Sequence, residues 1–341
     1  MKLNICCLSI VLSVAVFLSG CSVEKELYQY KLQGGTMGTN YNVTLVFNEP
    51  KSSIYLEGVH QRVEVELQLV DSLMSTYKPF SDVSQFNNLG VDQAIEISID
   101  TLKVISFAKR LNKLTDGYFD ITVGPLVDLW GFGAKSKSLA QVPSHNDVSQ
   151  VATLVGSDNF LLKDNALIKS AAVNIDLSAL AKGYAVDKVS EALLEVGVRN
   201  SLVEVGGEVN GQGVNFRGVP WILGIELPSA LGRKAHSTLN LIDMSLATSG
   251  DYRNFYEYEG QKYSHTIDPK TARPVRHKLA SVSVLSESCM KSDALATALM
   301  AMGEVKGYEF ATSQGVSAFF IYRKDNGFSS KSSGDFDQYL N

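Results

Sequence analysis

Cysteine is scarce in this chain, and an excess of positive charge is absent. Four cysteines occur in 341 residues: Cys6, Cys7, Cys21 and Cys289. Three crowd into the N-terminal stretch, so only Cys289 is left for the body of the protein. A disulfide-stapled scaffold is thereby excluded, and stability must rest on an ordinary apolar core. Cys289 itself reads as a small buried hydrophobe. Thirty-one Lys and Arg stand against 36 Asp and Glu, a formal net charge of −5, which offers nucleic acid no overall basic field. The chain also lacks GxGxxG after a strand, GxxxxGK[ST] and any internal repeat. A Rossmann dinucleotide site and a P-loop kinase are therefore unsupported. With 45% hydrophobic and 20% charged residues, wholesale disorder is excluded as well.

Long apolar runs are equally few. The one that exists spans Ile5 to Leu18, with Lys2 as the only charge before Glu24. It is short for a membrane span and sits where a secretory h-region sits. It ends in Leu18-Ser19-Gly20-Cys21, which resembles the bacterial lipobox. Residues 1–20 are thus expected to be a lipoprotein signal peptide, Cys21 the lipidated residue and 21–33 a tether. The expected location is the periplasmic or outer face of a cell membrane. No polybasic surface exists to hold the protein there, so the lipid has to do so.

Beyond the tether, Tyr41–Phe47 alternates as a strand. Leu56, Val59, Val63, Leu67, Val70 and Met74 recur at helical spacing. A second helix is expected after Asp100, an N-cap candidate, and residues 115–133 read as irregular. Asp176–Val196 reads as a loop entering a helix that Gly197 closes. Strands follow at 201–205, 221–227, 237–243, 279–285 and 316–322. A last helix is placed over Asp293–Met302 with Gly303 ending it, and 323–341 reads as a polar tail. Strands in adjacent runs predict an α/β (α+β) fold with mixed or antiparallel sheets flanked by helices.

Several constellations could do chemistry. Asp293 and Thr297 are four apart and share a helix face, where their oxygens suit a hard divalent cation; from spacing alone a capping Asp with an incidental Thr is the commoner reading. Asp176-Leu177-Ser178-Ala179-Leu180-Ala181-Lys182-Gly183 places two N-cap candidates at a helix entry. Such an entry exposes amides for an anion and a carbonyl for a metal. Gly206 and Gly207 follow a strand and permit close approach of a ligand, or simply a tight turn. Of five histidines, only His265 lies in a dense polar loop, with Asp268 three residues on. Met37 and Tyr77 offer surfaces on which a heterocycle can lie. Together these suit a nucleotide diphosphate with Mg²⁺.

Eight segments in order resemble the ApbE family of FAD:protein FMN transferases: GGTMGT, STY, DGYFDITVGPLVDLWGFG, DLSALAKGYAVD, VEVGGEVNGQG, TSGDYRN, YSHTIDPKTARPV and SDALATALMAMG. They span residues 34–322. The resemblance implies two related halves with FAD between them. It also implies transfer of FMN from FAD to a Thr or Ser hydroxyl of an acceptor protein, with AMP released. The acceptors it implies are subunits of membrane redox complexes. Carried over by position, Met37, Tyr77, Tyr118, Phe119, Asp120, Asp176, Lys182 and Ile267 contact FAD. Ala179, through its carbonyl, Asp293 and Thr297 ligate Mg²⁺. His265 is the catalytic histidine, and Asp268 is expected to orient it. Ala296 stands where some relatives carry an acid, and Lys182 where some carry one too. Two other outcomes share this site: hydrolysis of FAD to FMN and AMP, and non-catalytic flavin storage.

Overall fold

A computed structural model describes residues 26–133, 142–228, 234–252 and 254–341. The expected signal peptide and Cys21 lie outside these residues. The chain opens with β1 (Tyr28–Thr36), β2 (Thr39–Phe47), α1 (Ser53–Met74), α2 (Asp82–Asn87), β3 (Ala94–Glu96) and α3 (Ile99–Leu114). It continues through α4 (Gly124–Leu129), α5 (His145–Ala152), β4 (Phe160–Lys163), β5 (Ala166–Lys169) and α6 (Ala181–Glu195). Then come β6 (Asn200–Val205), β7 (Glu208–Gln212), β8 (Trp221–Glu226), β9 (Ala235–Leu241), β10 (Met244–Gly250), β11 (Phe255–Tyr258) and β12 (Gln261–Ser264). It closes with β13 (Ile267–Asp268), β14 (Arg273–Pro274), β15 (Leu279–Ser286), α7 (Cys289–Ser313), β16 (Ser317–Lys324) and β17 (Gly327–Ser333).

One eight-stranded sheet organises the molecule, in the order β1-β2-β6-β7-β10-β15-β16-β17. Every adjacent pair in it is antiparallel. The order repeats a pattern. Strands β1, β2, β6 and β7 run consecutively with helices inserted after the second. Strands β10, β15, β16 and β17 do the same, with α7 after the second. The two halves therefore share one continuous sheet.

Period-2 alternation sends successive side chains to opposite faces. Val282, Val284 and Phe320 join the larger core, with Val63 and Val70 of α1, Tyr184 and Val189 of α6 and Leu299 of α7. Leu285, Phe319 and Ile321 join a second core on the other face, roofed by Trp221, Ile225, Leu239 and Leu241 of the β8–β9 hairpin. A third cluster, with Leu126, Trp130, Tyr263 and Ile267, joins α4 to the β12–β13 segment.

Helix boundaries show where local signals mislead. Ser98, not Asp100, caps α3, its hydroxyl accepting from the Thr101 amide. The Asp100 carboxylate instead accepts from the Tyr184 hydroxyl. Helix α7 starts at Cys289, four residues before Asp293, behind an N-cap at Ser288. Asp187 reaches across from α6 to accept from the amides of Cys289 and Met290. Gly303 does not end the helix but kinks it, with φ 81°, and helical structure resumes to Ser313. Gly197, at φ 83°, sits in the left-handed C′ position expected.

The expected tether and tail are both shorter than the sequence suggests. Strand β1 already begins at Tyr28, and β17 pairs with β16 along its whole length. The tail's apolar residues explain the second correction. Phe336 is fully buried and stacks on Phe319, with ring centroids 5.4 Å apart. Phe336→Ala should cost about 3–5 kcal/mol of stability. Urea unfolding checks this, and an unchanged midpoint would mean that the tail is dispensable to the fold.

Candidate active site

Two helix N-termini meet at the heart of the site. Gly183, in the first turn of α6, packs against the start of α7: a Cβ there would lie 2.4 Å from the Cys289 carbonyl. Only glycine allows this approach, and it sets Asp293 beside the first turn of α6. Leu180 offers that helix no side-chain cap. Neither Asp176 nor Ser178 caps it, contrary to expectation. The Asp176 carboxylate instead closes a turn on the Ser178 amide at 2.8 Å.

The Gly183 amide finds its partner on the other helix. Gly183 N–H donates to Asp293 Oδ2 at 3.1 Å. Gly183 is the third residue of α6, so its amide is one of the four that find no acceptor within the helix, whose first internal bond runs from the Tyr184 amide to the Leu180 carbonyl. The Ala179 carbonyl lies just ahead of the N-cap, outside the helical ladder. One turn along α7 from Asp293, the half-buried Thr297 hydroxyl lies 3.4 Å from the Ser249 hydroxyl.

Lys182 projects into the same place. Its Nζ lies 2.7 Å from Glu208 Oε1 and 3.9 Å from Asp293 Oδ2. Asp293 and Glu208 are each 5% exposed. Burial alone would push the Lys182 ammonium down, but the Asp293 and Glu208 carboxylates outweigh it and hold it above the ordinary lysine range. Burial pushes the Asp293 carboxyl up to about 7, against the pull of Lys182. Glu208 is raised by burial in the same way, and its Oε2 has no hydrogen-bond partner.

These donors suit a small hard cation. A carboxylate, a hydroxyl and a carbonyl outside the helical ladder are the oxygen ligands Mg²⁺ takes, and it commonly keeps waters besides. Among the described residues, no three or more His, Cys, Asp or Glu side chains converge as they would for zinc.

The turns beside this cluster are tight. Met37 and Gly38 both have positive φ, 48° and 72°, in a two-residue hairpin between β1 and β2. Gly206, at φ 63°, turns β6 into β7, and a Cβ there would meet Thr39 Cγ2 at 2.9 Å and Lys182 Cδ at 3.2 Å. The hairpin carrying Met37, the glycine pair and the lysine stem therefore lie against one another.

His265 is held differently from expectation. Its Nδ1 lies 3.1 Å from the Asn254 carbonyl. A carbonyl only accepts, so Nδ1 carries the proton and Nε2 keeps its lone pair. Asp268 does not orient the ring. Its Oδ1 accepts from the Lys270 amide and its Oδ2 from the Thr271 hydroxyl, so both oxygens serve their own turn. Burial lowers the His265 pKa, against a weaker upward pull from the Asn254 bond and the Asp251 charge. An aromatic stack backs the loop, running from Trp130 through Tyr263 and Tyr256 to Phe132, whose ring meets His265 edge-on.

The remaining candidates divide. Tyr118 and Asp268 line a cavity of about 530 Å³ whose walls include Arg273, Arg276 and Lys306. The Tyr118 hydroxyl accepts from Lys306 at 2.9 Å. Tyr77 is 75% exposed on the α1–α2 loop. Phe119 and Ile267 are buried in the cores, so only their backbones can face a ligand. Asp120 binds the amide and hydroxyl of Thr122, at 2.8 and 2.6 Å. Asp176 packs beside Gly124, linking this segment to the entry of α6. Glu208 escapes sequence reasoning because it opens a short strand, four residues after the exposed-looking Glu204. Only the glycine pair before it marks the place.

Residues 37–320 match the model of the ApbE family. A Haemophilus influenzae protein named FAD:protein FMN transferase is 40% identical over 333 residues, covering 96% of each chain. A Vibrio cholerae protein of the same name is 38% identical over 332 residues, covering 97% of this chain and 98% of its own. The solved flavin transferase ApbE of Vibrio cholerae superposes with a TM-score of 0.84 at 38% identity, over 92% of this chain and all of that one. The apo flavinyl transferase ApbE of Pseudomonas stutzeri gives 0.84 at 36% identity, over 92% and 97%. Sequence motifs, the antiparallel fold and these likenesses agree: the chain belongs to the ApbE family.

Proposed function

We propose that this protein transfers FMN from FAD to a Thr or Ser hydroxyl of an acceptor protein and releases AMP. The observation that carries the reading is the bond from the Gly183 amide to Asp293. It fixes Asp293 Oδ2 at the entry of α6, where the Ala179 carbonyl lies ahead of the N-cap and outside the helical ladder, with Thr297 one turn from Asp293. Asp293, Thr297 and Ala179 would hold Mg²⁺, which when bound neutralises charge on the pyrophosphate oxygens and the leaving AMP.

The chain's own residues do the rest. Lys182 presents a point charge to a phosphate. Met37, Tyr77, Tyr118 and Asp176, with the backbones of Phe119, Asp120 and Ile267, flank the substrate. His265 Nε2 accepts the proton of the acceptor hydroxyl as its oxygen attacks the FMN phosphorus. The bond from that phosphorus to the AMP oxygen breaks in line.

The acceptor is a subunit of a membrane redox complex with a Thr-containing flavinylation motif. Lipid on Cys21 places the enzyme on the periplasmic or outer face of that membrane. Incubation with FAD, Mg²⁺ and a candidate acceptor tests the reaction. A covalently fluorescent acceptor is expected. Free FMN with AMP would mean a hydrolase, and intact FAD a storage protein.

A further inference from the structure

We propose that Glu208 is a positioning residue that draws the Lys182 ammonium away from Asp293, so that the Asp293 carboxylate stays available to a divalent cation. This rests on the reading of Asp293 as a cation ligand. Lys182 faces two buried carboxylates and is unequally shared, 2.7 Å from Glu208 and 3.9 Å from Asp293. Its stem passes Gly206 in space that a Cβ there would crowd, 3.2 Å from Lys182 Cδ. The head lies within reach of both carboxylates and sits nearer to Glu208. With Glu208 removed, the nearest counter-charge is Asp293 Oδ2, which the Gly183 amide already holds in place. An ammonium seated there would compete with a cation for the same carboxylate.

The Glu208 side chain is buried with Oε2 unpartnered. A carboxylate oxygen left bare in a protein interior is costly and calls for a reason. Commitment of Glu208 to Lys182, rather than to a hydrogen-bond network, supplies one. Glu208 enters β7 directly after the Gly206–Gly207 turn, paired with Val205, so its backbone is fixed by the sheet.

The test is a double-mutant cycle read as Mn²⁺ affinity by electron paramagnetic resonance, without FAD. Glu208→Gln should weaken Mn²⁺ binding about tenfold, within the range of coupled charged contacts. In the Lys182→Met background the same change should alter the affinity less than about twofold, because no competitor remains. Equal weakening in both backgrounds would mean that Glu208 acts through its own charge and overturns the proposal, as would no weakening. Glu208→Asp guards against a folding defect. It keeps the charge but withdraws the carboxylate by one methylene, so it too should weaken binding, and an unchanged affinity counts against the proposal. Mn²⁺ binding that survives Asp293→Ala refutes the cation site itself, a separate failure.

Discussion

His265→Ala should leave FAD bound and lower flavin transfer by about 10²–10⁴-fold, the usual contribution of a positioned general base. One carbonyl underlies this expectation. Asn254 accepts from both the backbone amide and Nδ1 of His265, at 3.2 and 3.1 Å. That fixes the tautomer and turns Nε2 into the only ring atom able to take a proton. Burial lowers the ring's pKa, so the neutral, base-competent form prevails near neutrality. The sign for pH follows. Transfer should rise with pH as the imidazole loses its proton, then level off, with the acid limb below the ordinary histidine value of about 6.5. The same shift makes stability fall as pH falls, because the unfolded histidine binds a proton more readily than the folded one. Stopped assays of acceptor fluorescence against pH, with FAD binding measured in parallel, decide the matter. Transfer at the full rate by the alanine variant would remove His265 from the mechanism.

Much of this arrangement is legible in the amino-acid sequence. The period-2 pattern of Tyr41–Phe47 and the 3.6 pattern of 54–74 are set by burial, and they appear as β2 and α1. The helix face shared by Asp293 and Thr297 follows from spacing alone. What fails is local reasoning about ends. Asp100 looks like a cap, yet Ser98 two residues earlier takes the role, because Asp100 is engaged by Tyr184 from a helix 84 residues away. Asp268 looks like the partner of His265, yet a neighbouring turn consumes both its oxygens while Asn254, 11 residues back, supplies the true one. Phe336 lies in a Ser-rich tail and looks exposed until Phe319 is brought beneath it. In each case the deciding contact is long-range or lies in a turn. Periodicity carries no information about either.

Asp293→Ala should abolish metal-dependent transfer, a loss of about 10³-fold or more, since charge neutralisation by a bound metal supplies several kcal/mol and each 1.36 kcal/mol is tenfold. Alanine alone leaves an ambiguity. It also strips the Gly183 amide of its acceptor, a group whose burial without a partner costs about 1–3 kcal/mol. Loss of activity could then reflect a loosened contact between α6 and α7. Asp293→Asn separates the two effects. An amide oxygen can still accept from Gly183, so the helix contact survives, while the negative charge that a cation needs is gone. Loss of charge also removes one of the two carboxylates facing Lys182, leaving Glu208 as its sole close partner at 2.7 Å. The asparagine variant is therefore expected to unfold near the unaltered midpoint, to lose transfer as completely as the alanine variant, and to respond to neither added Mg²⁺ nor EDTA. An asparagine variant that keeps its Mg²⁺ dependence would show that the cation is held elsewhere, and that Asp293 serves only to bind the two helices together.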